Sequence, residues 1–374
     1  MNGIADEDLW RYFAPDYVTA RQRFLDSCEA ASAIVDSYPI RIRGPYDENL
    51  HLDIAYLGSE SPSRLLIHTS GVHGVEGYPG SAAQVRMFER LAQGDLQIPA
   101  DCGILVAHAI NPYGFAWLRR VNEDNADLNR NFLAPGEAYV GEPELYRRLD
   151  GLLNPRSHKS VFDLFSLKAA YVMARHGFNK VKQAIAEGQY ERPKALQFGG
   201  NRLAESPKAW LDHLAKVLPS VEQVVWIDFH TGLGPFGVDS LLVSGDDSPE
   251  QMSRLTAHYG DTIQPNDPDA GVAYRIRGGM MDGVRARWPG IDWTLLTQEF
   301  GTYKPTKVIA ALRAENRMTQ WSGLDERSKL HSRERKNLLE TFSPASNKWR
   351  SMVMKRGQAL VDDALLELGG TSED

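Results

Sequence analysis

The feature that most constrains this chain is a repeated pairing, in which an apolar, strand-like run is followed at once by a residue able to do chemistry. RLLIHTS (Arg64 to Ser70), CGILVAHAI (Cys102 to Ile110), VVWIDFH (Val224 to His230) and DWTLLTQEFGT (Asp292 to Thr302) each read as a short, largely buried strand. His73 and Glu76 follow the first and Asn111 the second, while His230 ends the third and Glu299 sits within the fourth. Helical patterns lie between these runs. One extends from Ser81 to Leu91, with Val85, Phe88 and Leu91 on one side. Strands alternating with helices predict an α/β fold with a mostly parallel or mixed central sheet flanked by helices. Open sheets of this kind build their sites beyond the carboxyl ends of the strands. The polar positions are therefore expected to converge on one edge, although they are far apart in sequence.

The rest of the chain fits around that sheet as a single domain, 1–374, with a helical insertion at about 137–220 that is richer in Lys and Arg. Within it, SPKAWLDHLAKVL predicts a helix capped by Ser206, with Pro207 at its first position and Trp210, Leu211, Leu214, Val217 and Leu218 on one face. Asn347 to Leu368 predicts a long amphipathic helix, and the charge run Asp325 to Lys336 a solvated helix face. Lys plus Arg number 42 against 49 Asp plus Glu, a net charge of −7 without a basic run, so nucleic acid is not an expected partner. No apolar stretch reaches the roughly 18 to 20 residues that span a bilayer. MNGIADEDLWRYFAPDY lacks the basic start and apolar run of a signal peptide. The expectation is a cytoplasmic protein without a membrane partner, and an oligomer is compatible with the sequence. Cys28 and Cys102 are the only cysteines, so any metal must be held by His, Asp or Glu.

His73-Gly-Val-Glu76 can present two ligands to one metal if the backbone turns both inward, which Gly74 and Gly77 allow. A third protein ligand with water in the fourth place makes a catalytic zinc site, and His230 is the natural third. The plain alternatives are a structural histidine beside a surface carboxylate and a hydrogen-bonded histidine at a strand end. Asp228 points to the same side of its strand as His230, either to support it or merely as a capped strand-end carboxylate. A carboxylate inside an apolar strand, as at Glu299, is costly unless paired or wet. It reads as a general base for a metal-activated water or as half of a buried ion pair. In Asn111 to Phe132, Arg120 and Arg130 can bind anions, against the reading of a surface loop laced with ion pairs.

Taken in order, these elements resemble the zinc carboxypeptidase superfamily, which includes carboxypeptidase A-like enzymes and the succinylglutamate desuccinylase/aspartoacylase branch. The matching residues are His73 and Glu76, Asn111-Pro112-Tyr113-Gly114-Phe115, Asp127-Leu128-Asn129-Arg130-Asn131-Phe132, His230, Tyr274 to Asp282, and Glu299. SGVHGVEG, DFHTGLGP and EFGT are most similar to a bacterial branch known only as a domain of unknown function. The resemblance implies a phosphorylase/hydrolase-like α/β fold and one Zn2+ per chain held by His73, Glu76 and His230. It implies Asp127 as the support of a ligating histidine, with Asn129 and Arg130 holding a substrate carboxylate. Arg120, or else Arg119, would stabilise the oxyanion, Tyr274 would close over the substrate, and Glu299 would be the base and acid. Two departures stand out. The stretch from Arg130 to His230 is longer than in the digestive carboxypeptidases, and Arg275 and Arg277 flank Tyr274, where they read an acidic substrate or simply face solvent.

The function expected is zinc-dependent hydrolysis of an amide bond in a small carboxylate-bearing substrate, the C-terminal residue of a short peptide or an N-acyl amino acid. The alternatives are an esterase-type hydrolase at the same zinc site and an inactive, metal-bound binding module. The chain has no G-x-S-x-G elbow, Walker motif or dinucleotide glycine pattern, which leaves serine hydrolase, NTPase and oxidoreductase readings without support.

Overall fold

The computed structural model describes residues 6–157, 163–243, 248–265 and 275–370. Eight strands form one mixed sheet: β1 (Ile34–Arg43), β2 (Asn49–Gly58), β3 (Arg64–Ser70), β4 (Cys102–His108), β5 (Gln223–Gly232), β6 (Asp239–Val243), β7 (Ile263–Pro265) and β8 (Asp292–Gly301). Their order is β1-β2-β4-β3-β5-β8-β6-β7. The central strands β4, β3, β5 and β8 run parallel, while β1/β2, β2/β4 and β6/β8 are antiparallel pairs. β4 lies on one side of β3 and β5 on the other, so the chain leaves β3 and β5 in opposite directions. A crevice forms at their carboxyl ends. This is the sheet flanked by helices that the alternating pattern predicts.

Alternation along the central strands divides the core in two. Leu66, Val106, Val225, Ile227, Phe229 and Phe300 face one layer, with Phe88 of helix Gly77–Gln93 and Trp349, Val353, Leu360, Ala364 and Leu368 of helix Asn347–Gly369. Leu65, Ile67, Val224, Trp226, Trp293 and Leu295 face the other, against Trp210, Leu211, Leu214 and Leu218. The C-terminal helix is thus the amphipathic element expected, and these residues form its buried face. The second face is apolar at the amino ends of β5 and β8 and turns polar at their carboxyl ends. Val224 and Trp226 give way to Asp228 and His230, and Leu295 to Thr297 and Glu299.

Three local expectations change. The helix after β3 begins at Gly77, not Ser81, so Glu76 lies at its N-terminus. Helix Glu205–Val217 starts one residue before Ser206, whose hydroxyl donates to the Ile110 carbonyl at 2.5 Å instead of capping. The Asp325 to Lys336 run is not a solvated face throughout. Arg335 is fully buried and donates to the Trp117 carbonyl at 3.0 Å, with Glu315 3.6 Å away to balance its charge. Helices Glu144–Leu153, Phe165–His176 and Phe178–Ala186 form the basic helical stretch, and Glu205–Val217 packs directly on the sheet. Among the described residues no helix is long and apolar enough to cross a membrane.

Candidate metal centre

His73, Glu76 and His230 come together at the crevice beyond β3 and β5. One ligand atom from each lies within 4.8 Å of the others, and all three residues are buried. The loop that delivers His73 and Glu76 is clamped: Gly74 N–H donates to the Arg120 carbonyl at 3.1 Å and Val75 N–H to the Arg119 carbonyl at 2.8 Å. A Cβ at Gly74 would collide with the Gly114–Phe115 backbone, so only glycine allows this approach. Asn111 builds the facing wall. Its Oδ1 accepts from Gly114 N–H at 2.8 Å and its Nδ2 donates to the Arg120 carbonyl at 3.2 Å, which makes it a positioning residue of the loop.

Each histidine is held from behind by a carboxylate. His73 Nε2 lies 3.1 Å from Asp127 Oδ1, and His230 Nε2 lies 2.7 Å from Asp228 Oδ2. Asp228 is itself oriented by Thr69 Oγ1 at 2.7 Å, and that hydroxyl accepts from Trp226 Nε1 at 2.9 Å. Carboxylates on both Nε2 atoms hold a proton there and turn both Nδ1 atoms toward Glu76; without a metal the His230 Nδ1 carries a second proton, which a bound cation would displace. His73 Nδ1 is 3.0 Å and His230 Nδ1 3.4 Å from the Glu76 oxygens. His73 Nδ1 is nevertheless a buried nitrogen without a directed hydrogen bond. The ligand atoms therefore cluster without being fully paired among themselves. Two imidazoles and a carboxylate are a donor set that suits zinc, so the residues present fit the ion the resemblance implies.

The electrostatics favour a cation here. Burial pushes the Glu76 carboxyl up, but the adjacent His73 and His230 outweigh it and hold Glu76 well below the usual carboxylate range. Burial alone would lower His230, yet Asp228 and Glu76 keep its pKa well above that of a free imidazole. Asp127 is held far below its ordinary value because Arg130, Arg120 and His73 outweigh its burial. Removing Asp228 leaves the His230 ring free to rotate. Asp228→Ala is expected to weaken zinc binding roughly 10- to 100-fold, as loss of a supporting carboxylate does, read by competition with a chelator.

Glu299 stands in the next row. β5 and β8 pair in register with His230 opposite Glu299, on the same face of the sheet. Its Oε1 accepts from Leu233 N–H at 2.8 Å, and no cation pairs with it at ion-pair distance among the described residues. Burial, helped by the charge of Glu76, pushes its pKa up to about 7 against the pull of His230, the Leu233 amide and Arg120. The ion-pair alternative for this strand carboxylate is therefore not what the structure contains.

The arginines divide. Arg119 turns away: its Nε donates to Glu315 at 2.9 Å and its NH2 group to Asn125 at 2.8 Å. Arg120 reaches the centre, with NH1 3.0 Å from Glu76 Oε1 and Nε 3.2 Å from Asp127 Oδ2, and its guanidinium over the Phe342 ring. Arg130 corrects the reading of it as a carboxylate-binding residue. It is fully buried, and its guanidinium donates to Asp127 at 2.6 Å and twice to the Ala186 carbonyl, at 3.0 and 2.5 Å. Its physical role is to neutralise Asp127. Asn129 Oδ1 accepts from Met280 N–H at 2.9 Å, and the residue lines a small cavity with Asp228, Thr297 and Met280. Arg277 donates to the Val140 and Ala138 carbonyls at 2.7 and 2.9 Å, so it is engaged by that loop and not directed at a substrate. Tyr274 lies outside the described residues. The sequence reading missed Thr231, Leu233 and Phe342. Thr231 N–H donates to Glu76 Oε2 at 3.0 Å, Leu233 holds Glu299, and Phe342 closes on both Thr231 and Arg120. Only the Thr-Gly-Leu-Gly turn after His230 signalled that backbone donors gather there.

No curated protein matches the chain in sequence. Several solved structures are similar in fold. Carboxypeptidase A from Helicoverpa armigera shares 12% identity over 90% of this chain and 76% of its own, with a TM-score of 0.47. A putative succinylglutamate desuccinylase/aspartoacylase from Shewanella frigidimarina shares 16% over 77% and 70%, with a TM-score of 0.37. The murein-tripeptide amidase MpaA from Escherichia coli O157 shares 16% over 78% and 93%, with a TM-score of 0.35. The family model described as "Protein of unknown function (DUF2817)" matches residues 13–356, nearly the whole chain, and agrees with the unknown-function branch indicated by SGVHGVEG, DFHTGLGP and EFGT; the chain belongs to that family.

Proposed function

We propose that this chain is a zinc-dependent hydrolase that cleaves an amide bond of a small substrate, at the C-terminal residue of a short peptide or in an N-acyl amino acid. The observation that carries the reading is the buried cluster of two imidazole Nδ1 atoms around Glu76, with Glu299 in the neighbouring register row. His73, Glu76 and His230 would hold the ion. When bound, zinc supplies a water acidified toward neutrality and an electrophile for the scissile carbonyl.

The chain's own groups do the rest. Asp127 and Asp228 fix the two imidazoles as acceptors at Nδ1. Glu299, anchored at Oε1 by Leu233 N–H, takes the proton of the attacking water and delivers it to the leaving nitrogen. Arg120, a cation at the edge of the centre, faces the negative charge that develops on the substrate oxygen. With Arg130 enclosed, Arg120 and Asn129 are the side chains that remain to orient a substrate carboxylate.

A base must be ionised to work, so kcat/KM rises with pH through the ionisation of Glu299. That ionisation sits at about 7 in the metal-free site. A bound dication favours the carboxylate form, which moves the limb in the zinc-loaded enzyme below that value. A profile of kcat/KM across roughly pH 5 to 9 is expected to fall about tenfold per pH unit on its acid side. A flat profile contradicts the role of Glu299. The function itself is tested by incubating zinc-loaded protein with dipeptides and N-acyl amino acids and identifying products by mass spectrometry. Full zinc occupancy with no turnover on either class contradicts the proposal.

A further inference from the structure

The Arg119 side chain turns away from the centre, yet its backbone remains tied to it. The Arg119 and Arg120 carbonyls accept from Val75 N–H at 2.8 Å and Gly74 N–H at 3.1 Å, and Gly74 and Val75 are the two residues between His73 and Glu76. The placement of His73 and Glu76 therefore depends on how the chain from Trp117 to Arg120 is held. A buried charge triad holds it. Arg119 Nε donates to Glu315 Oε1 at 2.9 Å, and Arg335 Nε stands 3.6 Å from the same oxygen. Arg335 also donates through NH1 to the Trp117 carbonyl at 3.0 Å. Thr319 Oγ1 donates to Glu315 Oε1 at 2.6 Å, and Asn125 Oδ1 accepts from the Arg119 NH2 group at 2.8 Å. Glu315 and Thr319 lie on helix Pro305–Trp321, and Arg335 on helix Arg333–Phe342. Residues of the same two helices, among them Leu312, Leu338 and Phe342, share an apolar cluster with Val75.

Two independent observations set this triad apart from a tie between helices. The first is strain. Leu118 lies between Trp117 and Arg119, and its φ is +55°, in the left-handed region that a leucine rarely adopts. Such a backbone persists only where the surroundings over-determine it. The triad grips both sides of Leu118, Arg335 through the Trp117 carbonyl and Glu315 through the Arg119 side chain. The second is cost. Arg119, Glu315 and Arg335 are 2%, 3% and 0% exposed, so three charges are taken out of water together. Half-exposed Glu326, 3.5 Å from the Arg335 NH2 group, supplies the second negative charge. Apolar residues of similar volume often serve stability as well as a buried charge cluster does, and the best-attested use of such a cluster is to fix a register. The register fixed here sends Arg119 to Glu315 and Arg120 to Glu76 Oε1 at 3.0 Å, while both backbone carbonyls face the His73–Glu76 loop.

We propose that Arg119, Glu315 and Arg335 are positioning residues of the metal centre, a buried triad that holds the left-handed turn at Leu118 and, through the carbonyls of Arg119 and Arg120, sets the loop bearing His73 and Glu76. The inference rests on the hydrolase reading only for the ion that this loop receives. It gives the two helices after β8 a share in the centre, although none of the three side chains touches His73, Glu76 or His230 by hydrogen bond or ion pair among the bonds described above.

The test compares the wild type with the triple variant Arg119→Met/Glu315→Leu/Arg335→Met, which fills the space without charge. Its metal-free melting temperature is expected to stay near that of wild type. Hydrogen exchange at the Gly74 and Val75 amides, read by NMR on the metal-free proteins, is expected to quicken about tenfold, while the core of helix Asn347–Gly369 is unchanged. Zinc affinity, read by competition with a chelator, is expected to fall about tenfold. Adding Leu118→Gly, which adopts the left-handed angle without strain, is expected to recover about threefold of that affinity. Arg335→Lys guards against a folding defect in the triple variant. It keeps the charge, but a single ammonium lacks the fork that serves Trp117 and Glu315 together, so the same two changes are expected at about threefold. Unchanged exchange at Gly74 and Val75, faster exchange with unchanged zinc affinity, or no recovery from Leu118→Gly overturns the assignment. A wild type that takes up no zinc sinks the hydrolase reading, and the exchange rates still decide the triad.

Discussion

Replacing Glu299 with glutamine is expected to lower kcat by roughly two to four orders of magnitude while zinc remains bound at the wild-type level. The substitution is nearly isosteric. A glutamine oxygen still accepts the Leu233 N–H that anchors Oε1, so the β5–β8 edge has no reason to rearrange. The change removes the basic oxygen and nothing else the reading depends on. It also removes a carboxyl whose pKa burial raises to about 7, so it eliminates an energetic liability. The Gln variant is therefore expected to melt at or above the wild-type temperature. Lost activity with retained zinc and an undiminished melting temperature is the pattern of a base. Unchanged activity would mean that proton transfer uses another group.

The second large effect is on the metal. His73→Ala is expected to weaken zinc binding far beyond the roughly 10- to 100-fold that accompanies loss of a supporting carboxylate. His73 is a cleaner target than His230. Without the His73 ring, buried Asp127 still accepts from Arg130 at 2.6 Å, Arg120 at 3.2 Å and Asn129 N–H at 3.1 Å. Without the His230 ring, Asp228 retains Thr69 alone among the bonds described above, and a poorly paired buried anion destabilises the fold. Added zinc should raise the wild-type melting temperature, since an ion present at a hundred times its dissociation constant stabilises by about 2.7 kcal/mol. The His73→Ala protein should show no such rise, while its metal-free melting temperature stays near that of metal-free wild type. Elemental analysis after dialysis reads the same difference directly.

Much of this was legible because the central strands carry their own signature. β3, β4, β5 and β8 are buried on both faces and read as continuous apolar runs, and the polar residues at their ends stand out against that background. β1 was not legible. It is an edge strand, mostly exposed, and IVDSYPIRIR mixes a proline and charged residues into its alternation. The role of Arg130 was hidden for a different reason. Asp127 and Arg130 are three residues apart, a spacing that serves an arginine facing a substrate as well as one that neutralises its neighbour. Only the fold shows the guanidinium closed off by the Ala186 carbonyl.

The most direct test of the central claim is anomalous diffraction at the zinc edge from crystals of the zinc-loaded protein. One ion per chain is expected, bonded to Nδ1 of His73, Nδ1 of His230 and the Glu76 carboxylate, with Asp127 and Asp228 still on the two Nε2 atoms. Zinc elsewhere, no zinc at this point, or ligation through Nε2 with the carboxylates displaced would contradict it.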